Sequence, residues 1–162
     1  MKLIGAAIVI AVSTRLGFMK AESLNRRANL LEQLCSGLEI LKSEIAYSGT
    51  DLEKALIRAE TLTDSGGLFK AAAEDLGAVG ISAAWEKAVE ERIADKGDRA
   101  AIERLGAVLG KTDARGQTEH ISYTAALVRA RAKDAKAAYA KYGRLYKSVG
   151  VLAGAAAVLI LL

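Results

Sequence analysis

Residues Ala21–Tyr47 read AESLNRRANLLEQLCSGLEILKSEIAY, and the spacing of their apolar side chains decides the fold class. Leu24, Leu31, Leu34, Leu38, Leu41 and Ile45 follow one another at intervals of 7, 3, 4, 3 and 4 residues. An α-helix turns once in about 3.6 residues, so this spacing lines one face of a helix, whereas a strand would alternate every second residue. The stretch therefore predicts an amphipathic helix, continuous with the apolar residues before it and ended by Tyr47-Ser48-Gly49.

The composition extends that reading to the whole chain. Its 162 residues contain no proline and only 5% aromatics, while 15 glycines supply the punctuation that proline would otherwise provide. Ala, Leu, Glu, Lys and Arg dominate, which suits helices and not strands. Beyond Gly49, Thr50-x-x-Glu53 reads as a capping box for a second helix with Leu52, Ala55, Leu56 and Ala59 on its inner face. Thr63–Gly67 reads as a loop, and Leu68, Phe69, Ala72 and Leu76 mark a third helix. Ser82 is the expected cap of a fourth carrying Trp85, Val89 and Ile93, and Asp98 that of a fifth carrying Ile102, Leu105 and Leu109. A long last helix runs from about Asp113 to the end. The expected fold is all-α, a bundle of about six helices.

The two ends set the organisation. Leu3–Thr14 and Val149–Leu162 are uninterrupted apolar runs of 12 and 14 residues. A crossing helix needs about 18–20 such residues, so each run is short unless Arg15 or Lys147 snorkels. Neither run carries a polar stripe, which disfavours two buried core helices, the bland alternative. A cleavable secretory signal, with Lys2 before an apolar stretch and Ala11-Val12-Ser13 at the cleavage point, is opposed by Arg15 and by the helix pattern running on. The expected organisation is a membrane segment over 1–19, a helical-bundle domain over 20–147 and a second membrane segment over 148–162. Gly17, Gly150 and Gly154 are candidates for close packing of the two segments, because small residues four apart let helix backbones approach.

Charge points the same way. The chain carries a net +4. Arg129–Lys147 holds seven basic residues against Asp134, whereas Glu39–Arg104 holds nine basic and fourteen acidic ones. Arg15, Lys20, Arg26 and Arg27 follow the first apolar run, and Arg144 and Lys147 precede the last. Basic residues beside apolar ends mark the cytoplasmic face of a bilayer, so the body is expected in the cytoplasm. Nucleic-acid binding would instead spread basic residues and aromatics over the body, and no such partner is expected. Glu90 and Glu91, on the acidic body, are candidate partner contacts.

Motifs for chemistry are missing from this pattern. The segment Gly106–Thr112, GAVLGKT, has three residues between its glycines where a phosphate loop needs four, and helix instead of strand precedes it. One histidine, His120, and one cysteine, Cys35, leave no zinc-protease motif, cysteine cluster or intrachain disulfide. Both, like Trp85, read as packing or capping residues. No nucleophile, base and oxyanion set assembles, so no enzyme activity, cofactor or metal is expected. A generic membrane-tethered adaptor, or a dimeriser pairing the Leu24–Ile45 stripe between chains, is the alternative, and a homo-oligomer is possible on that reading.

Several groups of residues, in order, resemble the stage III sporulation protein AB family of endospore-forming bacteria. They are Thr14-x-x-Gly17-Phe18, Glu44-Ile45-x-Tyr47-x-x-Thr50-x-Leu52, Ala84-Trp85, and Leu105-Gly106-x-x-Leu109-Gly110-x-x-Asp113-x-x-x-Gln117-x-x-His120-Ile121. The ending Leu145-Tyr146-Lys147-Ser148-x-Gly150-Val151-Leu152-Ala153-Gly154 completes the set. Asp51 stands where the family pattern would have proline, and either residue suits a first helical turn. The resemblance implies a non-enzymatic platform or scaffold subunit of the secretion-like channel between mother cell and forespore, in the mother-cell membrane. Its body would be similar to the helical cytoplasmic domain of the platform protein of type II secretion and type IV pilus systems. It implies as partners the other channel subunits and a secretion-type ATPase resembling stage III sporulation protein AA.

Overall fold

A computed structural model describes residues 2–161. It contains six α-helices: α1 (Lys2–Ser43), α2 (Leu52–Thr61), α3 (Leu68–Val79), α4 (Ile81–Arg92), α5 (Lys96–Ile102) and α6 (Ala114–Leu161). A π-helical turn, Glu44–Ser48, closes α1, and a 3-10 turn, Glu103–Ala107, follows α5. No strand occurs among the described residues, so the chain is all-α. It packs as two units. A central unit comprises Leu30–Ala132, and a terminal unit comprises Met1–Asn29 with Lys133–Leu162.

The core of the central unit begins with the stripe that opened the sequence. Leu31, Leu34, Leu38 and Leu41 are buried on α1. Phe69 of α3 and Trp85 of α4 lie beside each other, ring centroids 5.9 Å apart and tilted by 51°. Each large ring rests on a glycine. Gly37 of α1 faces the Phe69 ring, and Gly106 faces Trp85, where an added Cβ would lie 2.7 Å from the indole Cδ1. The indole N–H donates to the Ile102 carbonyl at 3.0 Å, so the largest core side chain is buried with its one donor satisfied. This close approach explains why the fifth helix is shorter than expected. α5 stops at Ile102 and the chain tightens into the 3-10 turn that carries Gly106, while Leu105 and Leu109 stay buried.

The helix starts differ from the sequence reading in three places, each because a nearer or better-placed group takes the role. Thr50 does not cap α2; its hydroxyl donates to Glu44 Oε2 at 3.1 Å, and Asp51 holds the cap position without a side-chain bond. Gly80, not Ser82, precedes α4, and the Ser82 hydroxyl instead donates to the Gly106 carbonyl at 2.7 Å. Asp95, not Asp98, caps α5 by accepting from the Asp98 amide at 3.0 Å. Asp98 is left 2% exposed, 3.5 Å from Arg131 of α6. The start of α3 has a donor sink that spacing could not show: the Glu60 carboxylate accepts from the amides of Gly67 and Phe69 at 3.0 and 3.1 Å.

Three expected features match. Gly49, at φ +54°, lets the chain leave the π-helical turn in a left-handed conformation that a side chain would strain. Thr63–Gly67 connects α2 to α3, and α6 starts at Ala114 with the Asp113 carboxylate accepting from Gly116 N at 2.9 Å. In the Gly106–Thr112 segment the Gly110 amide donates to Gln117 Oε1 at 2.9 Å, so it serves the turn into α6 and does not form part of a phosphate cradle.

Two outcomes follow for the central unit. Gly37→Ala drives a methyl into the Phe69 ring and lowers its unfolding free energy by about 1–3 kcal/mol. Ser36→Ala, on the exposed side, changes it by less than about 0.5 kcal/mol. Denaturant titration with equal midpoints for the two variants would contradict this packing. Cys35 is 8% exposed, with its thiol 3.7 Å from the Ala125 carbonyl oxygen. Burial pushes the thiol up, Arg129 opposes, and Glu39 and Glu32 add to the rise. The folded chain should therefore resist alkylation at neutral pH and react on unfolding. The thiol's contribution to stability is complete below the unfolded value, about 8.5, and is lost as pH rises through the higher folded value.

Candidate functional surfaces

The terminal unit is built on small residues. Gly17, Ala21 and Ala28 of α1 and Ala135, Gly143, Gly150 and Gly154 of α6 are its buried positions among the described residues. Gly17 sits against the Tyr146 carbonyl and the Gly150 Cα. A Cβ on Gly150 would lie 2.8 Å from the Ser13 carbonyl oxygen, and one on Gly154 would lie 2.9 Å from the Ile10 Cα. As α1 numbers fall from 17 to 10, their α6 partners rise from 146 to 154, so the two helices run antiparallel with backbones touching. The structure thus brings Gly17, Gly150 and Gly154 together in one seam.

With small residues inside, the large apolar side chains point outward. Ile8, Val12, Leu16, Phe18 and Met19 on α1 are exposed, as are Leu145, Val149, Val151, Leu152 and Leu159 on α6. Leu16, Leu152 and Leu159 are 62%, 67% and 78% exposed. Monomers in water rarely display so continuous an apolar surface, and a patch of this kind marks contact with a membrane or a partner.

The basic residues gather at one level of this helix pair. Lys147 lies over the Phe18 ring with its nitrogen 5.3 Å from the centroid, and Lys141 lies over Tyr142 at 5.1 Å. Arg15, Lys20 and Arg144 are exposed nearby, and Lys147 is half-buried. Arg26 and Arg27 lie one to two turns further along α1, with Arg26 pairing with Glu22 at 3.3 Å. Tyr139, Tyr142 and Tyr146, spaced by 3 and 4, share this part of α6.

Past that level the helices carry few charges. At about 1.5 Å per residue, Ser148–Leu161 reaches about 21 Å and Leu3–Thr14 about 18 Å, against roughly 30 Å of hydrocarbon. Among the described residues no helix is long and apolar enough to cross a membrane. The expected extension of the first and last helices into membrane segments therefore has no support from the described helices. Met1 and Leu162, at the outer edges of the two expected segments, lie outside the described residues.

In the central unit Glu90 and Glu91 are exposed at the end of α4, on the helix where Lys87 pairs with Asp75 of α3 at 2.7 Å. His120 neither caps nor packs in the core. It is exposed and lines an open cleft of about 420 Å³ between the α5 region and α6, with Arg104, Leu105, Tyr123 and Leu127. Nothing in the spacing marked this cleft, because its walls meet only in the fold. The outward-facing tyrosines of α6 were more legible, since three of the chain's five tyrosines fall within eight residues. Among the described residues, no three His, Cys, Asp or Glu side chains group as a metal site.

Known proteins place this architecture. A solved structure of stage III sporulation protein AB (SpoIIIAB) superimposes with a TM-score of 0.62 at 26% identity, covering 71% of this chain and 97% of its own. Stage III sporulation protein AB of Bacillus subtilis (strain 168) is 30% identical over 171 aligned positions, spanning 100% of this chain and 99% of that protein. The family model described as "Stage III sporulation protein AB" matches residues 2–162. With the family pattern running through both units, the chain belongs to the stage III sporulation protein AB family.

Proposed function

We propose that the chain is a scaffold subunit of a membrane-bound sporulation assembly, attached through its terminal unit and meeting its partners through its central unit. The observation that carries this reading is the division of charge and apolarity between the units. The terminal unit holds ten basic residues and two acidic ones, and the central unit thirteen basic and seventeen acidic. The outward apolar side chains of the terminal unit need non-aqueous surroundings, and its cations suit a cytoplasmic leaflet. The proposed location is the mother-cell membrane around the forespore, with the central unit on the cytoplasmic side.

On this reading the acidic central unit receives the partners: other subunits of the channel and a secretion-type ATPase resembling stage III sporulation protein AA. The role is mechanical, anchoring the ATPase or relaying its movement. The dimeriser alternative loses its main support, since Leu31–Leu41 of the stripe is spent on the unit's own core.

Two measurements test the proposal. Double reversal of Glu90→Lys and Glu91→Lys should reduce co-purification of the ATPase several-fold at low salt while leaving the melting temperature unchanged. Undiminished capture would remove α4 from the contact. A Glu86→Cys label site in a Cys35→Ser background should react with an impermeant maleimide only after the cells are opened. Labelling of intact cells would overturn the orientation and, with it, the ATPase partner.

A further inference from the structure

The basic residues of the terminal unit sit where the glycine seam puts them, and their placement has a consequence beyond attachment. Because Gly17 opposes Tyr146 and Gly150, antiparallel pairing sets Lys20 level with about residue 145 and Arg15 level with about residue 150. Arg15, Lys20, Arg144 and Lys147 therefore occupy a band about 10 Å thick along the helix pair, at about 1.5 Å per residue. That is close to the thickness of one headgroup layer, roughly 5–8 Å on each side of the hydrocarbon. On one side of the band the exposed surface is apolar, and within it stands Tyr146, with Tyr142 just beyond its edge, amphipathic rings of the kind that settle at such a boundary.

The same band is empty of opposing charge. The sequence has no Asp or Glu from Met1 to Ala21 or from Ala135 to Leu162. Among the described residues no carboxylate pairs with Arg15, Lys20, Arg144 or Lys147. Lys147 is held over the Phe18 ring, a contact that fixes its ammonium between the helices and leaves its hydrogen-bond donors open to an external acceptor. Four cations in one thin layer, without internal counterions and above an apolar surface, are complementary to phosphate-bearing lipid headgroups.

We propose that this band is a binding site for the headgroups of anionic phospholipids, so that the terminal unit selects lipid by charge as well as burying apolar surface. The proposal rests on the membrane attachment argued above and adds the lipid class. Arg15 and Arg144 offer planar forks to phosphate, and Lys20 and Lys147 offer point charges. Each cation near a negatively charged surface strengthens attachment about fivefold, and the effect decays with added salt.

The test offers the full chain, released from detergent, a choice between phosphatidylcholine vesicles and vesicles that also contain phosphatidylglycerol, separated afterwards by density. The chain should collect on the anionic vesicles, and high salt should erode that preference. Arg15→Gln, Lys20→Gln, Arg144→Gln and Lys147→Gln should each lower it about fivefold. Circular dichroism of each variant, with the central unit's melting transition, identifies any that fails to fold. Lys70→Gln, on the exposed face of α3, should leave the preference unchanged. Equal partition between the two vesicle types, or a preference that survives all four substitutions, overturns the headgroup site while leaving attachment standing. Association with neither vesicle overturns attachment itself and assigns the apolar surface to a protein partner.

Discussion

The contact of Gly17 with Tyr146 and Gly150 sets the character of the terminal unit. Two helices with side chains between them stand about 8–10 Å apart, and only glycine lets backbones touch. Closing that distance takes the small residues inside and turns Ile8, Val12, Leu16, Phe18, Leu145, Leu152 and Leu159 outward. Those side chains remain exposed on the helix pair itself. The same contact fixes the register of the antiparallel pair, which aligns cations from distant parts of the sequence in one band.

The central unit solves the opposite problem by a related device. Its glycines are placed under aromatic rings, Gly37 under Phe69 and Gly106 under Trp85, so that bulk from one element enters a hollow in another. The rings then meet each other, and the buried indole N–H finds the Ile102 carbonyl at the end of α5. Phe69, Trp85 and the leucines of the stripe point inward here, most acidic side chains other than Glu44 and Asp98 point outward, and the unit presents a charged exterior. Similar proportions of glycine thus accompany an apolar exterior in one unit and a polar exterior in the other, according to whether the closely packed glycines face backbone or an aromatic ring.

Much of this was legible in the residues. The intervals of the Leu24–Ile45 stripe gave a helix, and α1 runs through Leu24–Leu41 of it, with Ile45 in the π-helical turn that closes α1. The turn residues at Gly49 and Thr63–Gly67 separated the right elements, and the low aromatic, proline-free composition excluded sheet. The caps were less legible, because Thr50, Ser82 and Asp98 carry cap-forming side chains that the fold uses elsewhere. Thr50 goes to the buried Glu44, Ser82 to the Gly106 carbonyl and Asp98 to Arg131, all partners remote in sequence or created by tertiary contact. The cleft beside His120 was invisible for the same reason. Arg15 and Lys147 flank apolar runs that hydropathy alone makes conspicuous, yet among the described residues no helix is long and apolar enough to cross a membrane. Gly17, Gly150 and Gly154 could be named from spacing, but their register could not, since small residues four apart recur throughout an Ala- and Gly-rich chain.

The central claim is the backbone contact of α1 with α6 in that register, and a disulfide tests it most directly. A Cβ on Gly154 would lie 3.3 Å from the Ser13 Cβ, close to the 3.5–4.5 Å that a disulfide spans. Ser13→Cys combined with Gly154→Cys, in a Cys35→Ser background, should oxidise to a link within one chain, seen by mass spectrometry as a bridged pair of peptides. The register-shifted pair Ser13→Cys and Leu159→Cys should not. A link only between chains, or equal linking of both pairs, would contradict the seam and the band of cations that it aligns.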